Sequence, residues 1–203
     1  VISLLLNDKY IFYAHTNIES NIDDETLQEH TNRCTKHFMN IVRERGLDEV
    51  FKNFEQIWFG EENREYAEFF YELILNTITF HDIGKINPLF QKLKMNNKLF
   101  LKEEGNLTLG SEHSIVSAII YLEYYLPKSK KFSKDKRKFF RQLTYINAYI
   151  ISKHHGNLGR FEKFLEGFYE DDGDNRYKSE IIKEEYKQYF KPECAFIEKQ
   201  NSI

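Results

Sequence analysis

The placement of the prolines constrains the fold of this 203-residue chain more than any other feature, because there are only three of them. Pro88, Pro127 and Pro192 each lie between stretches in which apolar residues recur every three or four positions. Proline removes a backbone donor and clashes with the preceding turn, so the stretches without it can form long helices. The sequence therefore predicts a single all-α domain over residues 1–203, a compact helical bundle.

The apolar spacing also predicts where the helices lie. Residues 1–15 lack a helical stripe and are predicted to form an extended or irregular entry segment, and residues 94–110 are predicted to form a loop. Trp58 and its aromatic neighbours are expected to belong to the core. The predicted helices cover residues 23–46, 47–59 and 65–80, a short stretch opened by Pro88, and residues 111–127, 139–156, 161–169 and 179–190.

Cysteine usage and hydropathy bear on the compartment. Cys34 and Cys194 are too few and too far apart for a disulfide framework or a thiolate zinc site, which favours a reducing environment. No stretch reaches transmembrane length, and residues 1–6 lack the basic start and cleavage site of a signal peptide. We therefore expect a cytoplasmic protein without a membrane partner.

Basic charge is concentrated in one segment, although the whole chain carries a net charge of −3. Residues 128–141 contain eight basic side chains and one acid. Such a focused patch can steer a polyanion to one place on the surface. The alternative is a solvated connector followed by a first helical turn. The candidate nucleic-acid-binding residues are Lys130, Lys131, Lys134, Lys136, Arg137 and Lys138.

The adjacent pair His81 and Asp82 is the strongest chemical signal in the chain. It stands where the long apolar helix predicted at residues 65–80 ends. An imidazole nitrogen and a carboxylate oxygen suit a divalent cation of borderline softness, and a carboxylate can also bridge to a second cation. The pair therefore marks a candidate metal site, and Asp82 is a candidate bridging ligand.

Four further histidines lie on predicted helices or at their ends, where a bundle could bring them to the same place: His30, His113, His154 and His155. Taken singly, each is also compatible with an ordinary core histidine. Two divalent cations can clamp a phosphodiester and lower the pKa of a bound water. With thiols nearly absent, the mixture of imidazole and carboxylate favours Mn, Fe, Co or Ni, with Mg allowed.

Weaker candidates lie nearby. His15 is predicted to contact the ligands from behind or to be a structural residue close to the site, and His37 is predicted to be a surface histidine or one with its hydrogen bonds satisfied inside the protein. Cys34 lies one helical turn from His30, but a small buried thiol is the expected role.

The order and spacing of these motifs resemble the HD phosphohydrolase superfamily. More closely, residues 13–160 resemble the HD nuclease domain of the CRISPR-associated nuclease-helicase of type I systems. The residues that carry the resemblance are Tyr13-Ala14-His15, Leu27-Gln28-Glu29-His30-Thr31, His81-Asp82-Ile83-Gly84-Lys85, Asn87-Pro88-Leu89-Phe90-Gln91, Ser111-Glu112-His113-Ser114 and His154-His155-Gly156-Asn157-Leu158.

The resemblance implies roles for individual residues. His30, His81 and Asp82 would hold one metal ion. Asp82 would bridge to a second ion, held by the histidines at positions 113, 154 and 155. Lys85 would approach the scissile phosphate or a carboxylate of the pocket, where the alternative is a helix-terminal lysine favoured by the helix dipole.

The chain departs from the resemblance in one respect. The family adds an aspartate from a late helix to the first metal site, and no comparable apolar helix bearing Asp precedes Ile203. Asp171, Asp172 and Asp174 lie in a polar segment that contains glycine and are expected to be solvated. We therefore expect the late helix with the last aspartate ligand to be missing.

The implied function is that of a metal-dependent endonuclease or exonuclease that hydrolyses single-stranded DNA in CRISPR antiviral defence. Its partners would be a helicase, fused or separate, and the RNA-guided surveillance complex. One alternative is an HD phosphohydrolase that acts on nucleotides or cyclic nucleotides. A second is a catalytically silent HD module that docks onto other proteins.

Overall fold

The structure, a computed structural model, describes residues 5–17, 23–60, 64–102, 109–170, 173–192 and 194. These residues form an all-α bundle with one two-stranded sheet, which confirms the predicted fold class. The helices are α1 Leu27–Glu44, α2 Leu47–Trp58, α3 Arg64–Phe80, α4 Pro88–Leu93, α5 Ser114–Lys128, α6 Lys134–Ser152, α7 Phe161–Tyr169 and α8 Asp174–Glu185. Four short 3-10 turns cover Ile83–Ile86, Lys98–Phe100, Ser129–Lys131 and Tyr186–Tyr189.

The sheet shortens the first helix relative to its prediction. Strand β1, Tyr13–His15, pairs antiparallel with strand β2, Glu25–Thr26. The Thr26 hydroxyl accepts a hydrogen bond from Glu29 N, and the Glu29 carboxylate accepts one from Thr26 N. This reciprocal capping box begins α1 at Leu27. The residues expected to form the first helical turn therefore belong to the hairpin.

The core lies between α3, α5 and α6, which pack against one another. Its largest fully buried side chains include Phe80, Tyr121, Tyr125 and Phe140. The Tyr121 hydroxyl donates to Leu73 O at 2.9 Å, so even the polar end of this buried ring is satisfied. The aromatic residues at helical spacing are thus mostly core residues, as expected.

Helix α2 departs from that expectation. None of its residues is buried, and Trp58 is 50% exposed. Phe54 stacks on Phe70 with ring centroids 4.7 Å apart, so only one edge of the helix packs against the bundle. The prediction that Trp58 is a core residue is wrong, because α2 lies at the periphery.

Three further helices have bounds that differ from their predictions. Helix α6, predicted at residues 139–156, starts five residues earlier and ends four residues earlier. Helix α5 continues one residue past Pro127, where the sequence predicted that it ends. Helix α8 starts at Asp174, where the sequence predicted an acidic loop, and the Asp174 carboxylate pairs with Lys178 at 2.7 Å. Positions 171 and 172 lie outside the described residues. No helix in the described ranges is both long and apolar enough to cross a bilayer.

One end of each of the helices α1, α3, α5 and α6 lies at the histidine cluster. Asp82 follows the end of α3, His113 directly precedes α5, and His154 follows the end of α6. Because α5 starts where α3 and α6 finish, it runs opposite to both of them, and the connection between α5 and α6 is short, as in an antiparallel bundle. His30 lies in the first turn of α1 and completes the cluster.

Candidate metal centre

The Asp82 carboxylate is the centre of the histidine cluster. Its side chain is almost fully buried. The Oδ1 atom lies 3.1 Å from His113 Nε2 and 3.0 Å from His154 Nε2. His155 Nε2 is 3.9 Å from the same oxygen and 2.9 Å from His113 Nε2. Three imidazoles therefore converge on one oxygen of the carboxylate.

The other oxygen faces a different set of groups. Asp82 Oδ2 lies 3.0 Å from His30 Nε2 and 3.4 Å from His81 Nε2. The two imidazole nitrogens are 3.3 Å apart. Lys85 Nζ is 2.9 Å from the same oxygen. The predicted metal residues are thus all brought together, and the carboxylate separates them into the two groups that the resemblance implies.

The turn after Asp82 explains how α3 and α5 meet here. Gly84 N donates to Ser117 Oγ at 2.8 Å. A Cβ atom on Gly84 would lie 2.1 Å from His113 O, which no side chain can tolerate. Glycine is therefore required because the backbones touch, and this contact brings Asp82 next to His113.

Hydrogen bonds on the far side of the rings fix the orientation of two histidines. His81 Nδ1 lies 2.6 Å from Ile78 O, and His154 Nδ1 lies 2.6 Å from Ile151 O. A carbonyl oxygen only accepts, so Nδ1 of each ring carries a proton. Each Nε2 is then left facing the carboxylate, where it can donate when protonated and can bind a cation when it is not.

The ionisation states at neutral pH suit a cation. Burial opposes ionisation of Asp82, but hydrogen bonds from His113, His154 and His30 outweigh it and hold its pKa far below the usual range. Burial lowers the pKa of His81 despite the nearby Asp82 charge, and burial with the neighbouring histidines lowers the pKa of His155. The carboxylate is therefore charged while these imidazoles are neutral, as metal ligands must be.

Glu25 is a residue of the site that the sequence analysis did not identify. Its Oε2 atom lies 3.3 Å from His30 Nδ1 and 2.7 Å from His15 Nδ1. Its Oε1 atom is 3.2 Å from an Arg33 nitrogen. Burial raises the Glu25 pKa, but the hydrogen bond from His15 and the charge of His30 lower it more. A carboxylate on Nδ1 directs Nε2 of His30 towards Asp82.

Helical spacing could not have revealed Glu25, because it lies in β2 and reaches His30 only through the hairpin. His15 is close to the site as expected. Its ring meets the His30 ring edge to face at a centroid distance of 4.7 Å, and its side chain is half exposed.

Lys85 is buried in the 3-10 turn that follows the His-Asp pair. Its Nζ donates to Ala14 O at 3.0 Å in addition to its contact with Asp82. The resemblance implies that Lys85 contacts either the scissile phosphate or a carboxylate of the pocket, and in the structure it contacts the Asp82 carboxylate. Lys85 also ties the site to β1.

Cys34 lies beside His30, among the groups near Asp82 Oδ2. Its Sγ lies 3.5 Å from His30 Nε2. Burial and the charge of Asp82 raise the thiol pKa, which opposes formation of a thiolate ligand. His37 is exposed, as predicted.

The predicted nucleic-acid-binding residues lie at the other end of α6 from the histidines. This 19-residue helix is about 28 Å long at about 1.5 Å per residue. Three of the side chains are engaged by the protein itself. Lys131 pairs with Glu65 at 2.9 Å, Lys136 donates to Trp58 O at 2.5 Å, and Arg137 donates to Lys130 O at 2.7 Å. The basic segment is therefore not part of the histidine cluster.

The cluster can hold a metal ion. Ligand atoms of Asp82, His113, His154 and His155 lie within 4.8 Å of one another, and the same holds for His30, Cys34 and His81 and for His15, Glu25 and His30. The carboxylates among these groups are Asp82 and Glu25. Asp174 is not in any of these groups of the described residues.

Comparison with protein-family models found no match for this chain. Comparison with curated proteins and with solved structures found no significant match either.

Proposed function

We propose that this protein is a metal-dependent phosphodiesterase of the HD type, a hydrolase that cleaves single-stranded DNA. The observation that carries the proposal is the division of five Nε2 atoms between the two oxygens of the buried Asp82 carboxylate. This arrangement suits a carboxylate that bridges two cations, which is a hallmark of two-metal phosphodiester hydrolysis.

The proposed site holds two divalent ions, which would activate water and neutralise the phosphate. His30 and His81 would bind one with Asp82 Oδ2, and the histidines at positions 113, 154 and 155 would bind the other with Oδ1. Glu25 holds the ring of His30 in place. A donor set of many imidazoles and one bridging carboxylate favours Mn, Fe, Co or Ni over Mg.

The residues of the chain have distinct tasks in this proposal. Asp82 draws the ligands together and stays ionised at neutral pH. Lys85 balances its buried charge in the absence of metal. The Nδ1 atoms of His81 and His154 point away from the carboxylate and donate to backbone carbonyls, so these two rings are already oriented for binding.

The choice of single-stranded DNA is supported by the resemblance of residues 13–160 to the HD nuclease domain of the type I CRISPR nuclease-helicase. A helicase, fused or separate, and the RNA-guided surveillance complex are the partners that belong to the same proposal.

Cleavage of circular single-stranded DNA by the purified chain with Mn²⁺ tests the function. We expect nicked and linear products with Mn²⁺ and none with EDTA. The variants Asp82→Asn and His154→Gln should lose cleavage, whereas His37→Gln on the exposed face of α1 should retain it. Circular dichroism of each variant verifies the fold.

Parallel reactions separate the alternatives. Turnover of nucleotides or cyclic nucleotides without DNA cleavage would favour a small-molecule phosphohydrolase. A folded, metal-loaded chain that turns over neither class would contradict the enzymatic proposal and favour a docking module.

A further inference from the structure

A cleft of about 840 Å³ opens beside the proposed metal centre. His113 and His155 form part of its wall, so it adjoins the side of the site that faces Asp82 Oδ1. His155 is the most exposed of the five histidines, with 59% of its side chain accessible, while the other four are at most 19% exposed. A substrate can therefore reach the centre from this side.

The lining of the cleft is basic. Lys153, Arg160, Lys163 and Lys178 contribute cations, against the single acid Glu112. Lys178 is neutralised by its ion pair with Asp174 at 2.7 Å, and among the described residues the ion pair of Arg160 is a long one, with Glu162 at 3.9 Å. Within the described ranges no ion pair is formed by Lys153 or Lys163. Positive charge is thus left over beside the histidines.

The residues that line the cleft lie outside the basic segment at residues 128–141. Lys153 follows α6, Arg160 precedes α7, and Lys163 lies in the first turn of α7. The buried ring of Phe164 forms part of the cleft wall beside Lys163. Because these residues surround the end of α6 that bears the histidines, they lie within reach of a strand whose phosphate occupies the metal centre.

We infer that this cleft binds the phosphates of the nucleic-acid strand next to the one that is hydrolysed, and that Lys153, Arg160 and Lys163 are the residues that hold them. The inference rests on the proposed function for the nature of the substrate. It moves the nucleic-acid-binding surface from the start of α6 to its end. A smaller basic hollow of about 330 Å³, lined by Lys134, Lys138 and their neighbours, lies at the start.

Two double variants with the same change of charge test the inference. Lys153→Glu with Lys163→Glu alters the cleft, and Lys134→Glu with Lys138→Glu alters the start of α6. Affinity for a fluorescent single strand is measured by anisotropy at several salt concentrations, with EDTA present so that nothing is cleaved. Thermal melting verifies the fold, and Lys153→Gln with Lys163→Gln serves as a milder second cleft variant.

The cleft variant should bind at least tenfold more weakly than the wild type. Loss of two phosphate contacts should reduce its salt slope by about 1.4, since each contact to a single strand contributes about 0.7. The control variant should bind within twofold of the wild type. The reverse pattern, or equal losses in both variants, would overturn the inference.

A small reporter separates this inference from the proposed function. Bis(p-nitrophenyl) phosphate is too short to extend from the metal centre along the cleft. With Mn²⁺ the cleft variant should lose at least tenfold more of its DNA cleavage rate than of its rate of hydrolysis of this reporter. A wild-type chain inactive on both substrates would contradict the proposed function, and the anisotropy comparison would still decide whether the cleft binds the strand.

Discussion

Lys85 Nζ lies 2.9 Å from Asp82 Oδ2, and neither side chain exposes more than 4% of its surface. A buried charge without a partner is costly, so the contact offsets part of the cost of burying the two groups inside the bundle. The ammonium is close to the place that a metal ion between His30 and His81 would take. The lysine therefore stabilises the metal-free protein, and under the proposed function it would compete with a cation bound there.

Replacing Lys85 with Met should separate these two effects. Without metal, Lys85→Met removes the ammonium partner of the buried Asp82 carboxylate and leaves it with its histidine neighbours, and we expect a loss of about 1–3 kcal/mol in the free energy of unfolding. With Mn²⁺ the loss should shrink, because the cation replaces the ammonium. Urea denaturation with EDTA and with Mn²⁺ measures both values.

Lys131→Met is the matched control, since its ion pair with Glu65 is exposed. That change should cost less than about 1 kcal/mol with or without metal. An equal loss for Lys85→Met in both conditions would show that the metal does not take over the role of the ammonium.

Removal of Glu25 should weaken metal binding without removing a proposed ligand. In Glu25→Ala the Nδ1 atom of His30 loses its carboxylate partner, so the ring is no longer held towards Asp82. Loss of such a partner lowers metal affinity by about 10–100-fold. Isothermal titration with Mn²⁺ measures the change.

Glu25→Gln should recover part of that loss, because its amide oxygen can still accept from the ring. His37→Gln, a change to an exposed histidine on the same helix, should leave the affinity unaltered. Unchanged affinity in Glu25→Ala would mean that Glu25 has no part in orienting His30.

The glycine of the turn after Asp82 should not tolerate a side chain. In Gly84→Ala the new methyl group would overlap His113 O and Ser117 N, both of which are backbone atoms. We expect a loss of about 1–3 kcal/mol, as for other overpacked sites. The shift of His113 should also lower metal affinity. Thermal unfolding and Mn²⁺ titration measure the two effects.

Gly156→Ala provides the comparison, since a Cβ there would meet nothing within 4 Å. Its stability should stay within about 0.5 kcal/mol of the wild type. Equal stability of the two alanine variants would contradict the close approach of α3 and α5.

The lowered pKa of His81 predicts a dependence of stability on pH in the metal-free protein. Burial is the main cause of the lowering, so the folded chain binds this proton less readily than the unfolded chain, whose histidine pKa is about 6.5. As pH falls below about 6.5, the unfolded state takes up the proton first and folding becomes less favourable. At higher pH the effect is absent.

The variant His81→Gln lacks this proton uptake. Between pH 7.5 and 5.5 its free energy of unfolding, measured in urea with EDTA, should fall less steeply than that of the wild type. Parallel curves would refute the assignment, and the titration of the His81 ring by NMR provides a direct second measurement.

Much of the fold could be predicted from local patterns. Proline placement and apolar spacing predicted an all-α chain, and seven of the helices were located close to their observed bounds because burial on one face repeats every turn. The predictions were wrong where tertiary packing, and not the apolar spacing of the sequence, decides the position of a residue. Trp58 lies on an apolar stripe but on a peripheral helix, and the hairpin takes residues that the pattern assigned to α1.

The metal site could be predicted only in part. Histidine and carboxylate chemistry singled out the ligands, and every predicted metal residue lies in the cluster. Glu25 was missed because its contact with His30 depends on strand pairing. The cleft was missed because Lys153 and Lys163 stand apart in the sequence and only the turn between α6 and α7 brings them together.

The sequence by itself determined the helices, the ligand types and their places at helix ends, since these depend on local spacing and on side-chain chemistry. The tertiary structure alone decided that five imidazoles share the two oxygens of Asp82, that Lys85 is buried against it, and that the basic segment at residues 128–141 lies at the far end of α6. The physical reason is that such contacts join residues up to 73 positions apart, and the packing of α3, α5 and α6 sets their distances.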